Sequence, residues 1–436
     1  MISRRLLAIL LASIPLSAAA QDQLTLDQAY EQAVKQSPTL ELLKQRVAQA
    51  EAARLKAWAA LKPTAAFQGT FTHYDQEVRL DFGAFLPPGV KAGDPIVIQK
   101  ENQFGFNVVA SLPLFRGPVY PRLGMTGRAI EQARLQQVRS RQEFLIEVAR
   151  AYYNVLGQQE TVKALENKVQ LDAKNVAAAR ARYEVGKTPR ADLLRAELVS
   201  TQDEQALLQQ RHTLKAGQRQ LGILLGLGGS VKATRPPEPA TPAGGPGLGD
   251  ALVRRSDYRA TGAGLELARK AKEAVWWGFL PSLDFAWLYR WTEAAGFANQ
   301  RGQWNLMLTL NLPIYDGGLR YAELREAEAK IREAQALRDQ LGRQIESEVV
   351  RLQAEVTAAG AAIASAEKAL KLARTTAEDM SASYEAGVAT QLDVLDANQR
   401  QLDAELNLTR TLYQRDVARL SLTHALGRFD PVRERP

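Results

Sequence analysis

The sequence predicts a mainly α-helical, internally duplicated chain that also carries four β-strands of the kind that cross membranes. Three observations lead there. One tip motif is spelled twice: RYEVGKTPRADLLRAE at 182–197 and SYEAGVATQLDVLDAN at 383–398, with six identities in sixteen at an offset of 201. Two stretches, between Pro121 and Gly186 and between Leu319 and Gly387, contain no proline and far exceed ordinary helix length. Four segments of about ten residues alternate apolar and polar side chains.

The first element is an export signal over 1–20. Arg4 and Arg5 start it, Leu6–Leu16 forms a short apolar core, and Ala18–Ala20 offers small residues for cleavage before Gln21. That core is too short to span a bilayer. Over the whole chain, 46% apolar content suffices for a folded protein, and the net charge of +8, two of it from Arg4 and Arg5, is a mild bias in 436 residues. No basic stripe is interleaved with aromatics, which argues against nucleic acid. There is no cysteine, so disulfides, thiol catalysis and a lipidated cysteine are all excluded.

A first repeat covers 21–225, a Pro/Gly-rich linker 226–249, a second repeat 250–428 and a tail 429–436. SLPLFRG at 111–117 returns as NLPIYDG at 311–317, and Leu61-Lys-Pro63 returns as Leu280-Pro281. Each repeat therefore reads helix, strand, loop, strand, very long helix, turn, helix. At about 1.5 Å per residue, roughly 65 residues make a helix of nearly 100 Å. The second long helix carries a seam, Val349, Leu352, Val356, Ala359, Ile363, Ala366, Leu370, Ala373, Ala377, Met380 and Tyr384, stepping by 3 and 4. That heptad pattern demands partner helices, and its many alanines let them approach closely.

Gly186 and Gly387 fall just past the long helices, where a residue of positive φ ends a helix at little cost. Thr188-Pro189 then offers an N-cap with proline at N1, and Thr390-x-x-Asp393 a capping box. Each motif is thus the tip of a helical hairpin. The returning helices, near 189–225 and 389–425, are shorter than their partners. Helices at 39–61 and 257–279 supply most of the missing length.

The strands form two hairpins, about 64–115 and 282–315. In the last strand, 303–315, Trp304, Leu306, Leu308, Leu310 and Leu312 point one way while Asn305, Thr309 and Asn311 point the other, with Met307 the exception. Phe104–Leu114 and Leu283–Trp291 alternate likewise; Thr64–Tyr74 does so more weakly. Length and end-placed aromatics suit membrane strands. A soluble sheet would need a cover for these apolar faces, and the helices are committed to their own seam. Four strands cannot close a barrel, and open edges are not tolerated in lipid. Two chains would pool eight strands, three would pool twelve, and a conduit favours the wider lumen of twelve.

The element order, the SLPLFRG/NLPIYDG segments and the paired YE(V/A)G…D-(L/V)-L tips resemble the TolC family of outer-membrane efflux proteins over about 24–428. The resemblance implies a homotrimer in the outer membrane, with a 12-stranded β-barrel (four strands per chain) above a coiled-coil α-barrel in the periplasm. It implies as partners a periplasmic adaptor and an inner-membrane pump of RND, ABC or MFS type, with no cofactor and no catalysis. On that likeness Gly186 and Gly387 are the tips that meet the adaptor. Asp393 and Asp396 ring the entrance constriction, and Asp192 and Tyr384 belong to the contacts that close it. Asp393 is equally the acid of a helix cap. A base often stands two positions after the second glycine; here that place is Ala389, and Lys187, Arg190 and Arg195 are the nearby bases.

Two other classes compete. An exported coiled-coil adaptor shares the long hairpins but carries compact soluble β-domains. An enzyme is disfavoured: His73, His212 and His424 are scattered, with no metal-ligand spacing, and no phosphate loop or nucleophile elbow follows a strand. Drugs, metal ions and secreted polypeptides all remain open as cargo.

Overall fold

The computed structural model describes residues 23–81, 87, 95–238, 248–293 and 300–432. The expected export signal, the middle of the 75–102 loop and residues 239–247 of the linker lie outside these. In chain order the elements are β1 (Gln23–Leu24), α1 (Leu26–Gln36), α2 (Pro38–Ala59), β2 (Thr64–His73), β3 (Val78–Leu80), β4 (Ile96–Gln99) and β5 (Asn102–Arg116). Then come α3 (Val119–Glu184), α4 (Arg190–Leu224), β6 (Lys232–Ala233), α5 (Leu248–Arg254) and α6 (Ser256–Trp277). β7 (Ser282–Thr292), β8 (Gly302–Asn311), α7 (Leu319–Glu385) and α8 (Gln391–Ala425) complete the chain. Two compact units result, and each draws on both repeats. One comprises the chain up to Leu42, Arg139–Arg255 and Gln344 onward; the other comprises Leu43–Val138 and Ser256–Arg343.

The first unit is helical. Its core is built on α3, where Leu145, Val148, Tyr152, Tyr153 and Val155 are fully buried, with Leu221 of α4, Ile345 of α7 and Leu426 joining them. The seam on α7 is real: Val349, Leu352, Ile363, Ala366, Leu370 and Ala377 are buried, and no seam residue is exposed. Higher up, Val162 and Leu165 of α3 meet Leu207 of α4 and Leu402 of α8. One contact was not legible in the sequence. β1 pairs in parallel with β6 over only two residues, and the Tyr152 hydroxyl stitches the join. It accepts from the Thr234 amide at 2.9 Å and lies 2.7 and 2.6 Å from the carbonyl oxygens of Leu24 and Thr234.

The second unit is built on a four-stranded antiparallel sheet in the order β2-β5-β7-β8. Its register aligns the alternating patterns. Phe67 faces Val108, Val108 faces Tyr289, and Tyr289 faces Trp304, so a single apolar row crosses all four strands. The adjacent rows on that face run Phe106–Trp291 and Ala110–Trp287–Leu306. The rings interlock, with Phe71–Phe104 centroids 4.8 Å apart and Phe106–Trp291 5.4 Å apart, each pair worth roughly 0.5–1.5 kcal/mol beyond its burial. β8 stops at Asn311, not at the expected Tyr315: its last pair is with Ser282, where β7 begins, so no partner backbone continues the ladder. Leu312, Ile314 and Tyr315 follow it as exposed apolar side chains. The 75–102 loop adds a small β3–β4 ribbon that the sequence did not announce.

Candidate functional site

The two hairpin tips share one helix ending. Gly186 has φ +71° and Gly387 φ +81°, conformations that a Cβ disfavours, although nothing lies within 4 Å to obstruct one. The Lys187 amide donates back to the Arg182 carbonyl at 2.9 Å, and the Val388 amide to the Ser383 carbonyl at 2.9 Å, closing the last turn of each long helix.

The returning helices start differently. In α8 the capping box forms: the Asp393 amide donates to Thr390 Oγ1 at 3.3 Å, while Asp393 Oδ2 accepts from the Thr390 amide at 2.8 Å and its hydroxyl at 2.6 Å. These bonds hold the Asp393 carboxyl below the usual carboxylate range. In α4 the expected Thr188 cap does not form. Pro189 itself is the N-cap, extended at ψ 152°, without a side-chain bond, and the Thr188 hydroxyl has no partner among the described residues. Helix α4 therefore starts at Arg190, one position later than expected.

Asp393 and Asp396 stand three apart on one exposed face of α8, and Asp396 Oδ2 accepts from Arg400 Nε at 2.9 Å, an exposed pair of little energetic weight. Asp192 and Tyr384 each take an arginine within the chain rather than one another. Asp192 faces Arg195 at 3.5 Å; the Arg182 guanidinium lies 4.1 Å above the Tyr384 ring and donates to the Tyr384 carbonyl at 3.4 Å. The buried Tyr384 hydroxyl bonds nothing among the described residues. Lys187 and Arg190 are exposed at the first tip, and Ala389 is half-buried at the second. Arg182 is therefore the tip base that sequence reasoning missed. The duplication gives no hint of it, since Ser383 occupies the matching place.

Nearer the middle of the first hairpin lies a buried ionic cluster. Lys168 Nζ of α3 donates to Asp172 Oδ1 at 2.5 Å and to Asp203 Oδ2 of α4 at 2.8 Å. Lys168 and Asp172 are 5% and 1% exposed, and Asp172 Oδ2 lacks a partner among the described residues. Burial pushes the Asp172 carboxyl up to about 6, opposed by Lys168 and reinforced by Asp203.

On the sheet, the face opposite the aromatic rows carries hydroxyl and amide side chains at most positions. Thr64 and Ser111 hydroxyls meet at 2.8 Å, Gln103 donates to Thr292 at 2.7 Å, and Arg116 pairs with Asp284 at 2.8 Å. One face of the sheet thus suits lipid and the other suits water. No helix among the described residues is long and apolar enough to cross a membrane. No group of three or more His, Asp or Glu among them is arranged to hold a metal ion.

The model of the "Outer membrane efflux protein" family matches residues 29–227 and 247–428, leaving out most of the linker. Outer membrane protein TolC of Vibrio cholerae is 22% identical over 330 residues, 73% of this chain and 75% of that protein. Outer membrane protein OprJ of Pseudomonas aeruginosa is 30% identical over 240 residues, 51% of this chain and 49% of that one. Among solved structures, the outer membrane protein VceC of Vibrio cholerae superposes with a TM-score of 0.73 at 20% identity, covering 92% of this chain and 96% of that chain. These matches give the soluble-adaptor alternative no support. With a family model spanning both repeats and a fold shared with a solved outer-membrane protein, the chain belongs to the outer membrane efflux protein family, as an outer-membrane efflux channel with a tunnel in the periplasm.

Proposed function

We propose that three copies of this chain form a passive duct, without catalysis, that carries cargo from a periplasmic adaptor and an inner-membrane pump of RND, ABC or MFS type to the cell exterior. One observation carries the reading: the sheet has two unpaired edges, β2 and β8, each ten residues long and exposed throughout. Such edges cannot remain open in lipid. Neighbouring copies can pair β8 of one with β2 of the next, again antiparallel, and three copies give twelve strands with a water-filled lumen. Residues 1–20 act as the cleaved export signal that this destination requires. The two repeats each contribute one hairpin of strands and one of helices.

At the helical end, the Gly186 and Gly387 tips meet the adaptor. Asp393 and Asp396, repeated threefold, ring the entrance, where fixed carboxylates favour cations. The capping bonds support this use of Asp393, because they keep its carboxyl ionised. Asp192 and Tyr384 belong to the closing contacts, with Arg182 as the base nearest to hand in the absence of one at Ala389. Purified in detergent, the protein should run as a trimer. The double substitution Asp393→Ala/Asp396→Ala should raise single-channel conductance and weaken block by multivalent cations. A stable monomer that needs no detergent would overturn the duct; unchanged conductance and block would overturn the carboxylate ring.

A further inference from the structure

The polar face of the sheet is not uniform. Gln68 pairs with Asn107, Asn107 with Arg290, and Arg290 with Gln303, so one register row crosses all four strands on long hydrogen-bonding side chains. Neighbouring rows differ. Ala66–Val109–Leu288–Asn305 on one side is mainly apolar, and Thr70–Gly105–Thr292 on the other has only small hydroxyls. Fixed charge is as unevenly placed. Asp284, the acid on this face of β7, is neutralised by Arg116, whereas Arg290 is exposed and has no acid partner among the described residues. A guanidinium stays charged at any physiological pH.

We infer that the row Gln68–Asn107–Arg290–Gln303 is an anion-attracting girdle of the β-walled stretch, with Arg290 as its selectivity-determining residue and anionic solutes as the class favoured there, opposite in sign to the carboxylates proposed at the entrance. The inference rests on the duct reading above. In a closed barrel the row repeats with each copy, giving a belt of amide donors and acceptors studded with one cation per subunit. Amide side chains hydrate whatever passes and impose no sign. The arginines impose one, because rings of Arg or Lys in a pore draw anions and repel cations. Their reach is limited by screening, so the preference grows as salt is diluted.

The test is a reversal potential across planar bilayers holding the purified full-length protein, with KCl at about 10 mM against about 100 mM, where the screening lengths are about 30 and 10 Å. Arg290→Ala should lower the chloride-to-potassium permeability ratio at least about twofold, Arg290→Glu should lower it further, and Arg290→Lys should leave it in place. Raising both baths tenfold should shrink the difference. Conducting Arg290→Ala and Arg290→Glu channels with the unaltered ratio would overturn the girdle while leaving the duct intact. An unaltered protein that stays a stable monomer without detergent would remove the duct itself, and the girdle with it.

Discussion

The two helical hairpins descend from one duplicated design yet are held together by different chemistry. In the first, Lys168, Asp172 and Asp203 tie α3 to α4 through a buried ionic cluster. At the same offset of 201, the second hairpin has Ala369, Ala373 and Ala404. All three members are replaced by alanine, and none of the three alanines is fully buried. The second hairpin instead relies on its alanine-rich seam and on the Thr390–Asp393 capping box, which the first lacks at Pro189. Two identical outlines can therefore be stabilised by polar locking at mid-length or by apolar packing and a capped end. They should respond differently to pH and to substitution.

The largest effect should come from Lys168→Ala, which strands two carboxylates in the interior. It should destabilise the first hairpin by about 3–5 kcal/mol. The triple change Lys168→Ala/Asp172→Ala/Asp203→Ala, which copies the second hairpin, should recover most of that loss. Amide hydrogen exchange along α3 and α4 reads both outcomes, and a triple variant no better than the single one would show that the cluster is not the lock.

A smaller effect comes from pH. The Asp172 carboxyl is raised to about 6 in the folded chain, from a usual value of 3.8, by burial. Folded protein therefore binds the proton more tightly than unfolded, and this contribution to stability is complete below the usual value and lost as pH rises through about 6. Exchange in the first hairpin, corrected for intrinsic rates, should slow between pH 7 and pH 5, with no matching change in α7 and α8 around Ala369, Ala373 and Ala404. Equal shifts in both hairpins would contradict the difference drawn here. The smallest contrast is at the caps. Thr390→Ala should cost about 1 kcal/mol and fray the first turn of α8, whereas Thr188→Ala should change α4 by less than about 0.5 kcal/mol.

What the sequence disclosed depended on periodicity and on conformational necessity. The Val349–Tyr384 seam follows from heptad spacing, and the strand faces follow from alternation, with Met307 on the polar side opposite Ala286. Gly186 and Gly387 were legible because a helix end with positive φ calls for glycine. Side-chain partnerships were not. Lys168 and Asp172 four apart on a helix look like a solvated surface pair, and only the approach of α4 buries them. Arg182 over Tyr384 joins residues 202 positions apart, with no pattern to announce it. Family likeness placed Asp192 and Tyr384 among the closing contacts; within the chain each faces an arginine that the likeness did not point to.

The Tyr152 stitch has a consequence for the order in which the protein matures. β1 at Gln23–Leu24 can find its partner only once Lys232–Ala233 exists. At ribosomal speeds of about 5–20 residues per second, those roughly 200 intervening residues take about 10–40 s to synthesise. The earliest of these segments to be made thus waits for a partner about half the chain away before it is fixed. Its capture by Tyr152 and Thr234 marks the moment when the chain has passed the first repeat and entered the linker.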